Sequence, residues 1–262
     1  MKRFVAVVLL AALGLVHASV QAQAKTFNQG ELDALLAPVA LYPDALVSNI
    51  LLASTSPDDL RDAAAWSRAN PQASGDQALR AVQAMPWNPS VAALVAFPDL
   101  LARMDENPRW TADLAAAYTG MEPSVMDTVQ GLRQRAQATG YLQSNDQYSV
   151  QQQGAALAVY PQQPEVVYAP YYDPYVVYGR WWWPAYRPIF WRPWSGRPVF
   201  VSRSFFVSRM DWGGRHLVRG VPQRVFIPNR VVPPHAQLHP PQMRKADRPA
   251  LAAAAGTAAG MT

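Results

Sequence analysis

A chain of 262 residues, half of them hydrophobic and 16% charged, with a formal net charge of +5, holds enough apolar mass for one substantial core. It has no cysteine, which excludes disulfides, thiolate catalysis and a cysteine-linked lipid anchor. Charge is split along the chain: residues 25–150 carry 8 Lys/Arg against 14 Asp/Glu, a net of −6, and residues 151–262 carry 13 against 4, a net of +9. Such a division points to two regions that meet different partners or attract each other.

The chain opens on a short basic start, Met1-Lys2-Arg3, then an apolar run from Phe4 to Val16, then small residues. This is the layout of a secretory signal peptide, too short to span a bilayer, and residues 1–24 are read as a leader cleaved after Ala22 or Ala24. No later run is long and apolar enough for a transmembrane helix.

Residues 25–142 are predicted to form an α-helical domain of about seven helices between residues 29 and 139. Nine prolines lie in residues 25–150, mostly where a helix should begin. Ser56-Pro57-Asp58-Asp59 combines a cap, a first-turn proline and two acids at the positive end of the helix dipole. Asn107-Pro108 and Glu122-Pro123 open further segments. Leu46, Val47, Ile50 and Leu51 form a stripe widened by Leu52 and Ala53, which predicts a deeply buried helix. Trp110, Leu114, Ala117, Tyr118 and Met121 share one helical face, as do Val125, Val129, Leu132 and Ala136 before Gly140.

The polar stretch at residues 143–155 reads as a linker. Residues 156–180 read as a small β-hairpin, because Pro164-Glu-Val-Val-Tyr168 returns as Pro174-Tyr-Val-Val-Tyr178 and Val-Val-Tyr favours strands. Residues 156–161 offer a further strand. Residues 181–209 form a Trp/Arg-rich segment whose end, from 197, is strand-like. Residues 210–262 are expected to be largely disordered. The fold class is therefore mainly α: a compact multi-helix N-terminal domain, a small β-hairpin region and a largely disordered Pro/Arg-rich C-terminal tail.

The phrases ELDALLAPVALYPDALVSNILLAST, PWNPSVAALVAFPDLLARM and PEVVYAPYYDPYVVYG resemble the bacterial family of unknown function DUF3300 over roughly residues 30–180. The resemblance implies an exported or envelope protein with this helical region, the repeated phrase and a variable tail. It implies no catalytic residues.

Motifs for chemistry are sparse. His235 and His239 have a metal-compatible spacing, but Pro233, Pro234, Pro240 and Pro241 deny them a helix, so they read as solvated tail residues and no metal or cofactor is expected. Asp58, Asp59 and Asp62 read as helix-start acids, and Asp44 reads the same way more readily than as a ligand. Trp66, Trp87 and Trp110 read as core. The strongest surface signal is residues 160–194, which hold thirteen of the 28 aromatic residues. There Arg180, Trp181, Trp182, Trp183, Arg187, Trp191, Arg192 and Trp194 are the candidate binding residues. Interleaved Trp and Arg suit a partner protein, an envelope polymer or a peripheral membrane contact. Nucleic acid is not expected of an exported protein. The same run could instead cover the helical core. Two functions stay open: a non-enzymatic interaction or scaffold module of the envelope, or a hydrolase of an envelope polymer using carboxylates such as Asp44 and Asp99.

Overall fold

Prolines start most of the helices. In the computed structural model, which describes residues 25–202 and 205–220, the helical region contains α1 (Gln29–Leu36), α2 (Asp44–Ser54), α3 (Pro57–Ala69), α4 (Gly75–Ala81), α5 (Pro89–Leu94), α6 (Pro98–Glu106) and α7 (Pro108–Ala138). Four of these have proline in the first turn, where its missing N–H has no helical partner to lose. Asn28 and Glu31 cap α1 reciprocally. Ser56 does not cap α3 with its side chain. Its hydroxyl accepts the Asn88 side-chain amide, while Asp59 accepts the Asn88 backbone N–H, so the expected cap ties α3 to α5 instead.

Helix α2 is the centre of the fold, and every one of its residues is buried. It packs against α3, α5, α7 and two of the strands introduced below. Its polar members bond locally or across the core: Ser48 and Ser54 donate to carbonyls three residues back, and the Asn49 amide nitrogen donates to the Phe205 carbonyl while its Oδ1 is buried without a partner among the described residues. The apolar face expected along residues 110–136 is buried in α7. Met121 leaves helical geometry (φ −143°, ψ 38°), and Pro123 follows inside the helix. The chain kinks there, where Glu122-Pro123 marks a new segment, because proline can donate no bond to the preceding turn. Gly140 (φ 81°) closes the helix, with Tyr141 and Leu142 donating back to the Ala136 carbonyl.

The strands depart from the expected arrangement. β1 (Tyr148–Gln153) pairs antiparallel with β2 (Ala156–Pro161), in register from Tyr148↔Pro161 to Gln153↔Ala156. The stretch read as a linker therefore holds a strand, and β1 tolerates its glutamines because it lies at the edge, half-buried to exposed. β2 is buried throughout. The repeated phrase does not pair with itself. Its first copy gives β3 (Val166–Val167), which pairs with β4 (Val199–Phe200). Its second gives a helical turn, α8 (Pro174–Val177), because Pro174 sets the first-turn dihedral and the Asp173 side chain caps the Tyr175 N–H. Local capping overrides strand propensity here.

Residues 210–220, expected to be disordered, belong to a hairpin of β5 (Ser208–Asp211) and β6 (His216–Arg219). Its anchor is Trp212 at the turn, buried with its ring 5.0 Å from the Arg133 guanidinium. The rest of the expected tail, and the leader, lie outside the described residues.

Tyr178 of the second copy and Tyr172 between the two copies fasten this stretch to the helical region. Tyr172 and Tyr178 both donate to the Ala37 carbonyl at 2.8 Å, the Leu41 N–H donates to the Tyr172 hydroxyl, and Tyr42 donates to the Pro170 carbonyl. The phrase thus wraps the turn between α1 and α2. Burial pushes the hydroxyls of Tyr42, Tyr172 and Tyr178 well above the ordinary tyrosine range. The unfolded chain loses these protons near pH 10 while the folded chain keeps them, so stability is complete below pH 10 and falls as pH rises beyond it. Each such group contributes a slope of about 1.4 kcal/mol per pH unit. Thermal melts between pH 8 and 11.5 should show a steep alkaline decline, flattened in Tyr178→Phe; a flat profile in the parent protein would contradict this packing.

Candidate functional site

The segment from Arg180 to Trp194 crosses the helical region with almost no regular structure. Its tryptophans point their polar ends inward. The indoles of Trp182 and Trp183 both donate to Asp33 Oδ2, at 3.0 and 2.6 Å, and the Gln29 amide donates to Asp33 Oδ1 at 2.7 Å. Asp33 stands on α1 at 7% exposure. It is thus a buried carboxylate held by N–H donors rather than by a cation. Trp181 donates to the Tyr186 carbonyl and stacks on Trp182 at 4.3 Å, and the Arg135 guanidinium lies 3.7 Å from the Trp182 ring. Trp194 donates to the Ala169 carbonyl. Tyr186 packs so closely on α1 that a Cβ at Gly30 would stand 2.5 Å from its ring.

Trp191 is a core residue, 3% exposed and edge-on to Trp110 at 5.0 Å, so it offers no surface to a partner. Trp181, Trp182, Trp183 and Trp194 are half-buried. The exposed part of the candidate set is cationic. Arg180, Arg187 and Arg192 all face outward. Arg192 pairs with Glu106 at 3.2 Å, whereas Arg180 and Arg187 form no ion pair among the described residues. Phe190, between Arg187 and Arg192, is 73% exposed. The segment is a set of cations and one bare ring displayed from an aromatic framework fastened from within.

The two carboxylates considered for hydrolysis do not form a site. Asp44 is 1% exposed; its Oδ1 accepts from Arg133 at 2.6 Å and from the Val159 N–H, and its Oδ2 accepts from Trp212. Asp99 is exposed and lines a separate cleft with Trp194 and Arg197. Trp110 is buried, and Trp66 and Trp87 are partly buried against the core. His235 and His239 lie outside the described residues. Among the described residues no group of three or more His, Asp or Glu could hold a metal, and no helix is long and apolar enough to cross a membrane.

Two decisive residues escape the sequence reading, Asp33 and Arg133, and each carries the same detectable signal. Asp33 is flanked by Leu32, Leu35 and Leu36 in a helical pattern. Arg133 falls four residues after Val129, on the apolar face of α7. A charge on a buried stripe needs a partner, and the partner is not local.

A family model described as "Protein of unknown function (DUF3300)" matches residues 28–227. The "Uncharacterized protein YacH" of Escherichia coli (strain K12) is 39% identical over 208 residues, which cover 67% of this chain and 34% of that protein. The chain therefore aligns with about a third of the length of this curated relative. No solved structure matches the chain.

Proposed function

Since the chain belongs to the DUF3300 family, which brings no established chemistry, we propose from its own surface that it is a non-enzymatic interaction module of the bacterial envelope. In this reading it is an exported protein whose aromatic-basic segment meets an anionic envelope component. The leader-like N-terminus supports export. One observation carries the contact: Arg180 and Arg187 are exposed with no acidic partner among the described residues, beside a 73% exposed Phe190, on a segment whose indoles are all engaged inward or buried. Cations held apart from acids attract anionic surfaces, and a bare ring adds apolar contact that salt does not screen. The hydrolase reading loses its support, because both oxygens of Asp44 are engaged in the core.

Co-sedimentation with anionic vesicles and with cell-wall fragments tests the proposal. Each cation near an anionic surface contributes on the order of 1 kcal/mol. Replacing Arg180, Arg187 and Arg192 with Gln should therefore weaken binding at least about tenfold at low salt and flatten its salt dependence. Phe190→Ser should weaken it at every salt concentration. Absence of sedimentation by the parent protein at low salt, or an unchanged Arg triple variant, would refute the contact.

A further inference from the structure

A cleft of about 510 Å³ opens between α3, α6 and residues 194–199, within the range of pockets that hold small ligands. Small side chains, Ala64 and Ala102, leave room for it between the helices. Its polar lining is largely unengaged. Arg68 is taken by Asp105 at 2.6 Å, but no ion pair or side-chain hydrogen bond among the described residues engages Asp99, Arg197, Ser67, Ser74 or Ser195. Four of these five are exposed. Ser67 lines the same cleft at 7% exposure. A helical serine can close its hydroxyl on a carbonyl three or four residues back, as Ser48 and Ser54 do in α2. Ser67 does not, so a nearly buried hydroxyl is left open to the cleft.

These groups define the ligand. Once Arg68 is paired, one carboxylate and one guanidinium remain, so the lining has no net charge to draw a simple anion or cation. The carboxylate only accepts, the guanidinium only donates, and each hydroxyl does both. A simple ion would leave the three serines to water, and hydrocarbon would leave all five groups unanswered. Alcohol groups answer every one of them, because each both donates and accepts. The aromatic part of the lining fits the same chemistry. The Trp194 indole N–H is already donated to the Ala169 carbonyl at 2.7 Å, so its ring offers carbon surface alone. Tyr171 at 5.7 Å and Trp191 at 6.0 Å hold that ring, and a Cβ at Gly196 would stand 2.4 Å from Pro170 Cα, so this wall is set before a ligand arrives. A pyranose carries C–H groups on its faces, which pack on an electron-rich ring, and hydroxyls around its rim. We infer that this cleft binds a neutral sugar unit of a glycan, stacked on Trp194 with its hydroxyls on Asp99, Arg197 and Ser67. The inference goes beyond the contact reading and does not depend on it, since Arg180, Arg187 and Phe190 do not line the cleft.

The test uses the full-length protein, with all variants made in the same chain. The probes are two soluble neutral glycans, an N-acetylglucosamine oligomer and a glucose oligomer, followed by tryptophan fluorescence and equilibrium dialysis. Saturable binding of at least one is expected. Asp99→Asn with Arg197→Gln should weaken it at least about tenfold and leave the melting temperature in place, because both side chains are exposed and unpaired among the described residues. Ser67→Ala should weaken it several-fold without loss of stability, since its hydroxyl has no internal partner to lose. Arg61→Gln, on the exposed side of α3, should leave binding unchanged. Binding of neither glycan, an unchanged double variant, or an equal loss in Arg61→Gln would overturn the inference. Tighter binding of the zwitterionic dipeptide alanyl-alanine would make the cleft a site for peptide ends and overturn it as well. These probes present no anionic surface, so the contact proposed above stands or falls separately.

Discussion

Arg133→Met should destabilise the protein by about 3–5 kcal/mol, the usual cost of removing one partner from a buried ion pair. The guanidinium is fully buried and satisfies four acceptors: the Ala40, Tyr42 and Leu157 carbonyls and the Asp44 carboxylate. It joins the α1–α2 turn, α2 and β2 to α7. Asp44 in turn holds the Val159 N–H and the Trp212 indole, so the pair also docks the β5–β6 hairpin. Methionine replaces much of the stem volume but takes the guanidinium donors from the Ala40 and Tyr42 carbonyls and leaves the buried Asp44 carboxylate with the neutral Val159 and Trp212 donors and no cation, while Gln130 still donates to the Leu157 carbonyl. Arg133→Lys retains the charge without the planar fork and should be intermediate. Chemical denaturation followed by tryptophan fluorescence measures the change. A loss below about 1 kcal/mol for Arg133→Met would mean that the network contributes little beyond packing.

The second large effect belongs to Asp33. Replacing Trp182 and Trp183 with Phe keeps most of the ring area but removes both indole donors, leaving the buried carboxylate with the Gln29 amide alone among the side chains that hold it here. Hydrogen bonds to a charged group contribute about 1.5–3 kcal/mol each, so the double variant should lose about 3 kcal/mol or more. The Arg180, Arg187 and Arg192 to Gln variant should leave the melting temperature in place, since these side chains face solvent. Thermal melts of both variants beside vesicle sedimentation separate structure from contact. A double Trp variant with an unchanged melt and abolished sedimentation would reverse the assignment and make the indoles the contact.

The contrast between these residues shows which features were legible in the sequence. The helices of the first half were legible because their signals are local. Proline at the first turn, acids at the dipole's positive end and apolar spacing all act within a few residues. The buried stripe of α2, the apolar face of α7 and the break at Glu122-Pro123 follow from such signals. The aromatic-basic character of residues 180–194 was equally plain from composition, as was the division of charge.

The pairings of the second half, and the direction in which its side chains point, were decided only by tertiary structure. Val166-Val167 and Val176-Val177 are nearly identical words, yet one pairs with residues 199–200 and the other becomes a helical turn. Strand propensity states a preference and names no partner, whereas the partner comes from distant chain and the turn from Asp173 and Pro174 beside it. Residues 210–220 read from composition as the start of a largely disordered Pro/Arg-rich tail. They order because Trp212 finds Asp44, far away in sequence. In the same way nothing local states that Trp182 and Trp183 turn inward. A buried carboxylate must be satisfied, and the donors that satisfy Asp33 lie about 150 residues further along the chain.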